Sequence, residues 1–419
     1  MKTVRPAVRR ALDQALEGRP STLEEVTLLA SVRGAELLAL TRTADELRRL
    51  QVGERVTWVA NLNLNYTNIC TARCGFCAFS RPPGAPDAWR LSLEEMQSRI
   101  DQAVALGVSE VCLQAGLAPD LDGEDYVRLT RTLKERHPRI HLHAFSPQEI
   151  LHGARASGRT VEDLLRALRD AGLGSLPGTS AEILDQGLRD RISPRRIRVE
   201  EWVEVITTAH LLGLSTTATI MYGFLEEPHH LAHHLLRLRA IQKETGGFTE
   251  FVPLSFVHRQ APAWRDSTIP GLRAGPTGCE VLVIHALARV VLGQTFRNIQ
   301  ASWVKEGPRL AQILLDCGAN DLGGTLLTES ISKAAGSEQG GFLSPGEFNR
   351  LILDSGRLPT RRDTLYRLLD RPAGTADPFG LPLPDPPEQG GRSPDGEGSQ
   401  PDPSESTVTP MRNRRPCSN

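Results

Sequence analysis

Between Val56 and Leu292 the chain alternates strand-like and helix-like runs six times, and few folds accommodate that order. Strands are expected at 56–66 ("VTWVANLNLNY"), 109–116, 140–146, 172–178, 215–223 and 248–256. Helices are expected over 92–107, from Gly123, over 160–172, 181–188, 199–212, 228–245 and 279–292. Such alternation produces a parallel sheet with right-handed crossovers, and six units make most of a barrel. The fold class is therefore α/β, a partial (βα)6 TIM-like barrel over residues 56–292. In such barrels chemistry gathers at the carboxyl ends of the strands. Residues 1–55 read as a helical extension, with a Ser21/Glu24 capping box, a second start at Thr43 and a stop at Gly53. Residues 293–370 form a C-terminal subdomain expected to close the site. Residues 371–419, rich in Pro, Gly, Ser and Asp, are expected to be disordered.

Directly after the first strand stands "NYTNICTARCGFCAFSR", with Cys70, Cys74 and Cys77 in CxxxCxxC spacing. Thiolates suit zinc or iron–sulfur clusters, but a closed zinc site wants a second ligand pair and none stands nearby. Three cysteines on a 4Fe-4S cluster leave one iron open, able to chelate the amine and carboxylate of S-adenosyl-L-methionine. That is the arrangement of a radical SAM enzyme. A non-enzymatic iron–sulfur or zinc protein is the alternative from another class. Cys112, Cys279, Cys317 and Cys417 read as ordinary free cysteines.

Lys and Arg total 49 against 50 acidic residues, a net charge of −1, which argues against a nucleic-acid partner or a polybasic membrane anchor. No apolar run is long enough to span a bilayer, and the basic amphipathic N-terminus lacks the features of a secretory signal. Clustered, odd-numbered cysteines are unlike a disulfide framework, so a reducing cytoplasmic home is expected. The paired histidines His229/His233 and His230/His234 read as a solvated helix face, and "SPRRIR" (193–198) as surface.

The blocks "NYTNICxxxCxFCAF", "HAFSPQEI", "LPGTSAEIL", "TTATIMYG", "GGFTEFVPLSFVH", "NIQASWVK" and "GANDLGGTL" together resemble the FO synthase subunit 2 family, from about Val56 to Gly336. Radical enzymes of futalosine-dependent menaquinone synthesis share some of them and are the nearest alternative. The resemblance implies a transferase that breaks the Cα–Cβ bond of L-tyrosine and joins the 4-hydroxybenzyl group to 5-amino-6-(D-ribitylamino)uracil. It releases 2-iminoacetate, methionine and 5′-deoxyadenosine on the route to coenzyme F0 and F420. FO synthase subunit 1 is then the pathway partner, and ferredoxin or flavodoxin an electron donor.

The resemblance also assigns roles. Cys70, Cys74 and Cys77 match the cluster ligands. Phe76, Gln114, Ala115, Gly116, Glu182, Met221 and Tyr222 fall where the family binds S-adenosyl-L-methionine. Ala115 replaces an expected glycine, tolerable only at negative φ, and Phe224 stands where a histidine is expected. His143 and Glu149 are candidate acid–base residues. His258, Asn298, Gln300, Asn320 and Asp321 are candidates for substrate contact.

Overall fold

The computed structural model describes residues 4–327, 331–337 and 341–369. Among the described residues nine strands form: β1 (Arg55–Val59), β2 (Asn61–Asn65), β3 (Glu110–Gln114), β4 (His141–Ala144), β5 (Ser175–Leu176), β6 (Ser215–Tyr222), β7 (Phe248–Ser255), β8 (Asp321–Gly324) and β9 (Leu358–Arg362). Strands β2 to β7 lie side by side in chain order, all parallel, and make the expected six-stranded half-barrel. The first expected strand is in fact two. Alternation runs unbroken through Ala60, yet β1 pairs with β8 and β9 in a separate three-stranded sheet, whereas β2 pairs with β3.

Alternation here does not separate core from solvent. In β2 and β3, Leu62, Leu64, Val111 and Leu113 are buried, while Asn61, Asn65 and Glu110 are buried too. The apolar set faces the helices. The polar set faces the barrel interior, where Asn61 donates to Glu110 at 3.0 Å and Asn65 to the Gln114 carbonyl at 2.9 Å. A period of two with both faces buried is what a barrel strand demands.

Beyond β7, isolated parallel bridges carry the pairing further: Phe251 with Ile299, Gln300 with Asp321, and Leu62 with Leu327. The ladder therefore runs from β7 through 299–300 to β8 and on through Leu327 to β2, while β1 pairs alongside β8 through Thr57 and Asp321. The half-barrel is thus closed into a ring.

Helix boundaries mostly follow their caps. Ser92, Asp122, Thr160 and Thr277 each accept a hydrogen bond from a first-turn amide. Three expectations need correction, and one helix has no counterpart among them. The capping box of the helix Leu23–Ala30 is Thr22 with Glu25, one residue later than Ser21/Glu24. No helix starts at Thr43, because Ala35–Val52 is continuous up to Gly53. A helix at Pro147–Ser157, capped by Ser146, was not anticipated. Residues 181–185 are not helical; the helix is Gln186–Ile192, capped by Asp185, and Ser180 and Glu182 take positive φ values of 70° and 40°.

The N-terminal helices lie on the barrel's flank: Arg239 donates to the Ser21 carbonyl at 3.0 Å and Arg289 to Gln51 at 2.8 Å. All described residues belong to one compact unit. Among them no helix is long and apolar enough to cross a membrane. The expected disordered tail, with Cys417, lies outside the described residues.

Candidate active site at the carboxyl ends of the strands

The cysteine loop leaves β2 and is tied down by backbone hydrogen bonds from four directions. The Cys70 amide donates to the Arg81 carbonyl (2.8 Å), Thr71 to Leu117 (3.1 Å), Gly75 to Ile192 (2.9 Å), and the Gly116 amide, just past β3, to Thr67 (2.9 Å). Glycine is required at two of these crossings. A Cβ on Gly116 would sit 2.2 Å from the Ile69 carbonyl oxygen and 2.9 Å from Cys70 Cβ, and one on Gly75 would sit 2.8 Å from the Ile192 oxygen. Ala115 is not among the positive-φ residues, so its methyl is tolerated.

All three cysteines are free thiols and line one chamber of about 230 Å³. Cys70 and Cys74 are buried, Cys77 partly so. Burial pushes the Cys74 thiol up to about 12, against the opposing pull of Arg196. Among the described residues no group of three His, Cys, Asp or Glu closes around a single ion. The thiols instead share a wall of a chamber wide enough for a larger group. Three soft donors without a fourth suit a multi-iron cluster with one iron left to another ligand.

Across from Cys74 sits Arg196, whose Nη1 lies 3.7 Å from the Cys74 sulfur. Its Nη2 donates to Ser180 Oγ and to Glu182, both at 2.9 Å, and its guanidinium lies 5.6 Å from the Phe76 ring centre. Burial works against the charge of Arg196, but Glu182 and then the cysteines outweigh it and the pKa is raised. Glu182 is also held by the buried Arg189 at 3.2 Å, so one carboxylate serves two guanidinium groups. Two non-glycine residues at positive φ, Ser180 and Glu182 on either side of Ala181, mark a segment whose backbone is held against its preference.

Glu149 occupies another wall. It closes the capping box of its helix, accepting from Ser146 N at 2.8 Å and Ser146 Oγ at 2.7 Å, and it also accepts from Ala115 N at 3.1 Å. Burial pushes its pKa from an ordinary 4.5 up to about 7, although these three bonds pull it down.

Of the residues expected from the sequence, the chamber brings together the three cysteines, Phe76, Gln114, Ala115, Gly116, Glu149, Glu182 and Met221. The others lie elsewhere. Tyr222 points away from its neighbour Met221, as successive strand residues must; its hydroxyl donates to Glu306 and accepts from Ser255. His143 is one layer deeper in the barrel, bonded to Ser175 Oγ at 2.7 Å, and burial lowers its pKa to about 4. His258 stands edge-on to Trp264, ring centres 4.8 Å apart. Phe224 packs edge-on against Phe256 in the core, leaving that position no polar role.

Asn298, Gln300, Asn320 and Asp321 serve the closing ladder instead of lining the chamber. Asn320 accepts from Arg289 and donates to Asn298, Gln300 donates to Glu250, and Asp321 is paired with Arg362 at 2.6 Å. Conversely, Ser146, Ser180, Arg196, Thr219, Ser255 and Lys305 line the chamber and were not anticipated. Arg196 belongs to the run 193–198 that reads as surface; it stands just past the helix Gln186–Ile192, and no local pattern marks it as a chamber residue.

Comparison with known proteins agrees with this geometry. Residues 64–238 match the radical SAM superfamily, and residues 245–375 match the CofH/MqnC C-terminal region. The chain is 45% identical over 367 residues to 5-amino-6-(D-ribitylamino)uracil–L-tyrosine 4-hydroxyphenyl transferase of Methanothermobacter thermautotrophicus, covering 88% of this chain and 99% of that protein. It is 48% identical over 329 residues to the protein of that name from Archaeoglobus fulgidus, covering 78% and 93%. Against FO synthase of Nocardia farcinica it is 45% identical over 88% of this chain but only 42% of that longer protein. Among solved structures, methylornithine synthase (PylB) superposes with a TM-score of 0.66 at 19% identity, covering 84% of this chain and 97% of that one, a likeness of fold. The chain belongs to the 5-amino-6-(D-ribitylamino)uracil–L-tyrosine 4-hydroxyphenyl transferase family of the radical SAM superfamily.

Proposed function

We propose that this chain transfers the 4-hydroxybenzyl group of L-tyrosine to 5-amino-6-(D-ribitylamino)uracil, as its relatives' names describe. The observation that carries the reading is identity of 45% across 99% of such a relative, together with three cysteines on the wall of a chamber at the strand ends. A 4Fe-4S cluster and S-adenosyl-L-methionine, when bound, would supply the radical that starts the chemistry. Cys70, Cys74 and Cys77 would hold the cluster, and Phe76, Gln114, Ala115, Gly116, Glu182 and Met221 would shape the surface beside it.

Glu149 is the residue we assign to proton handling at the substrate amine. It borders the chamber, which His143 does not, and a pKa near 7 lets its carboxylate either hold or release a proton at neutral pH. Arg196, fixed by Glu182 and Ser180, keeps a positive charge against the cysteine wall. The largely apolar strand-end residues Met221, Leu254, Phe256 and Val257 exclude water from the opposite side. A cytoplasmic location, a one-electron donor and a separate FO synthase subunit 1 to complete the deazaflavin belong to the same reading.

The test is anaerobic turnover of reconstituted protein with dithionite, S-adenosyl-L-methionine, tyrosine and the ribityl diamine, followed by mass detection. The adduct and 5′-deoxyadenosine are expected together. Because the C-terminal match bears both the CofH and MqnC names, futalosine-type substrates are the control. Their turnover in place of tyrosine would replace this reading with the menaquinone one.

A further inference from the structure

The cysteine loop is a partition. Cys74, Cys77, Ala78 and Ser80 line the inner chamber, and the same four residues line a second cleft of about 560 Å³ on the loop's other side. Arg73, Arg81 and Arg265 border that outer cleft, with Asp87 and Asp266. Arg81 is bound to Asp87, and Arg265 is only loosely paired with Asp266, at 3.6 Å with both side chains more than half exposed. Arg73 is exposed and forms no ion pair among the described residues. Its backbone is held at φ 50°, a conformation that long side chains seldom adopt. Next to it, a hollow lined by Thr71 and Ala72 of the same loop carries Arg155 and Arg195. Arg155 is paired with Glu201, whereas Arg195 is exposed and likewise without an ion pair among the described residues. A chain of net charge −1 thus collects surplus positive charge around the outside of this one loop.

We propose that this outer face is the docking surface for an acidic one-electron carrier protein. The inference rests on the radical reading above, which requires one electron per turnover. Electron transfer weakens steeply with distance, and the loop brings two of the three thiols to the floor of an outward-facing cleft. The reductant can therefore approach without opening the inner chamber. The carrier is oxidised by one electron, the group held by the thiols is reduced by one, and no bond is made or broken. Surplus arginines steer and orient an acidic partner.

Flavodoxin is the probe. Calorimetric titration of oxidised flavodoxin into the reconstituted holoenzyme at low ionic strength should show binding that weakens with added salt. The triple variant Arg73→Glu, Arg195→Glu, Arg265→Glu should bind at least tenfold more weakly. Its 5′-deoxyadenosine formation driven by reduced flavodoxin should fall to a similar degree, while the dithionite-driven rate stays unchanged. Arg166→Glu, on the helix Val161–Asp170, which touches neither cavity, should change nothing. Unchanged affinity in the triple variant overturns the proposal, as does an equal loss with dithionite or an equal effect of Arg166→Glu. Absence of 5′-deoxyadenosine from the wild-type protein with dithionite overturns the radical reading instead, and the titration distinguishes the two.

Discussion

At the level of single residues, the chamber is built from groups whose ordinary preferences are overridden. Glu149 is the clearest case, with its pKa raised by burial to about 7. The native protein then holds a proton that the unfolded chain releases between pH 4.5 and 7. Stability should fall as pH rises through that window and level off above it, by about 3 kcal/mol at most. Glu149→Gln removes the titration, so the pH dependence of thermal unfolding of the apo-protein should flatten between pH 5 and 8. Parallel curves for variant and wild type would refute the raised pKa. Gly116 makes a second case. Its missing side chain allows β3 to meet the cysteine loop, and the Ile69 carbonyl that a methyl would strike belongs to backbone, which cannot swing aside. Gly116→Ala should fold but lose most of its iron on reconstitution, measured by iron and sulfide analysis; full iron content would show that the loop adapts. The cysteines were legible in the sequence because their chemistry lies in local spacing. Arg196 was not, because its burial is created by Glu182, Ser180 and Phe76, which approach only in the folded chain.

At the level of elements, strand and helix order was readable and strand allegiance was not. The run 56–66 keeps one periodicity across Ala60, but its halves join different sheets, and no local pattern records which partner a strand takes. The same limit explains Asn298, Asn320 and Asp321. Polar residues near glycines suggest a site loop, yet here Asn298 and Asn320 satisfy each other and Arg289 along the closing ladder. Asp321 is fully buried, receives two hydrogen bonds from Arg362 at 2.6 and 3.0 Å, and accepts a third from Thr57 at 2.5 Å. Breaking a buried pair on one side strands the partner's charge. Asp321→Asn should therefore cost about 3–5 kcal/mol in denaturant unfolding, while the KM for tyrosine at a permissive temperature stays near wild type. A raised KM with little loss of stability would return Asp321 to the substrate-contact role first expected of it.

For the molecule as a whole, the question is whether residues 293–370 act as a separate cap or as part of the barrel. Sequence reasoning treats them as a subdomain, since the six-fold alternation ends at Leu292. The hydrogen bonds trace another arrangement. The Phe251 amide donates to the Asn298 carbonyl, Gln300 to Phe251, Ala301 to Asp321, and Leu327 to Asn61. Strand β9 flanks β1 over its full length, from Arg55 with Leu358 to Val59 with Arg362. A sheet closed by the C-terminal segments has no free edge at β7, so opening those segments exposes barrel strands on both sides of the gap. Native-state hydrogen exchange should accordingly place the amides of Gln300, Ala301 and Leu327 in the same slow-exchanging group as those of β3 and β6, all opening with the global unfolding free energy. Exchange of the 299–301 and 321–327 amides through a lower-energy opening, with β2 to β7 still protected, would show that the half-barrel is a cooperative unit by itself and that the remainder closes over it as a lid.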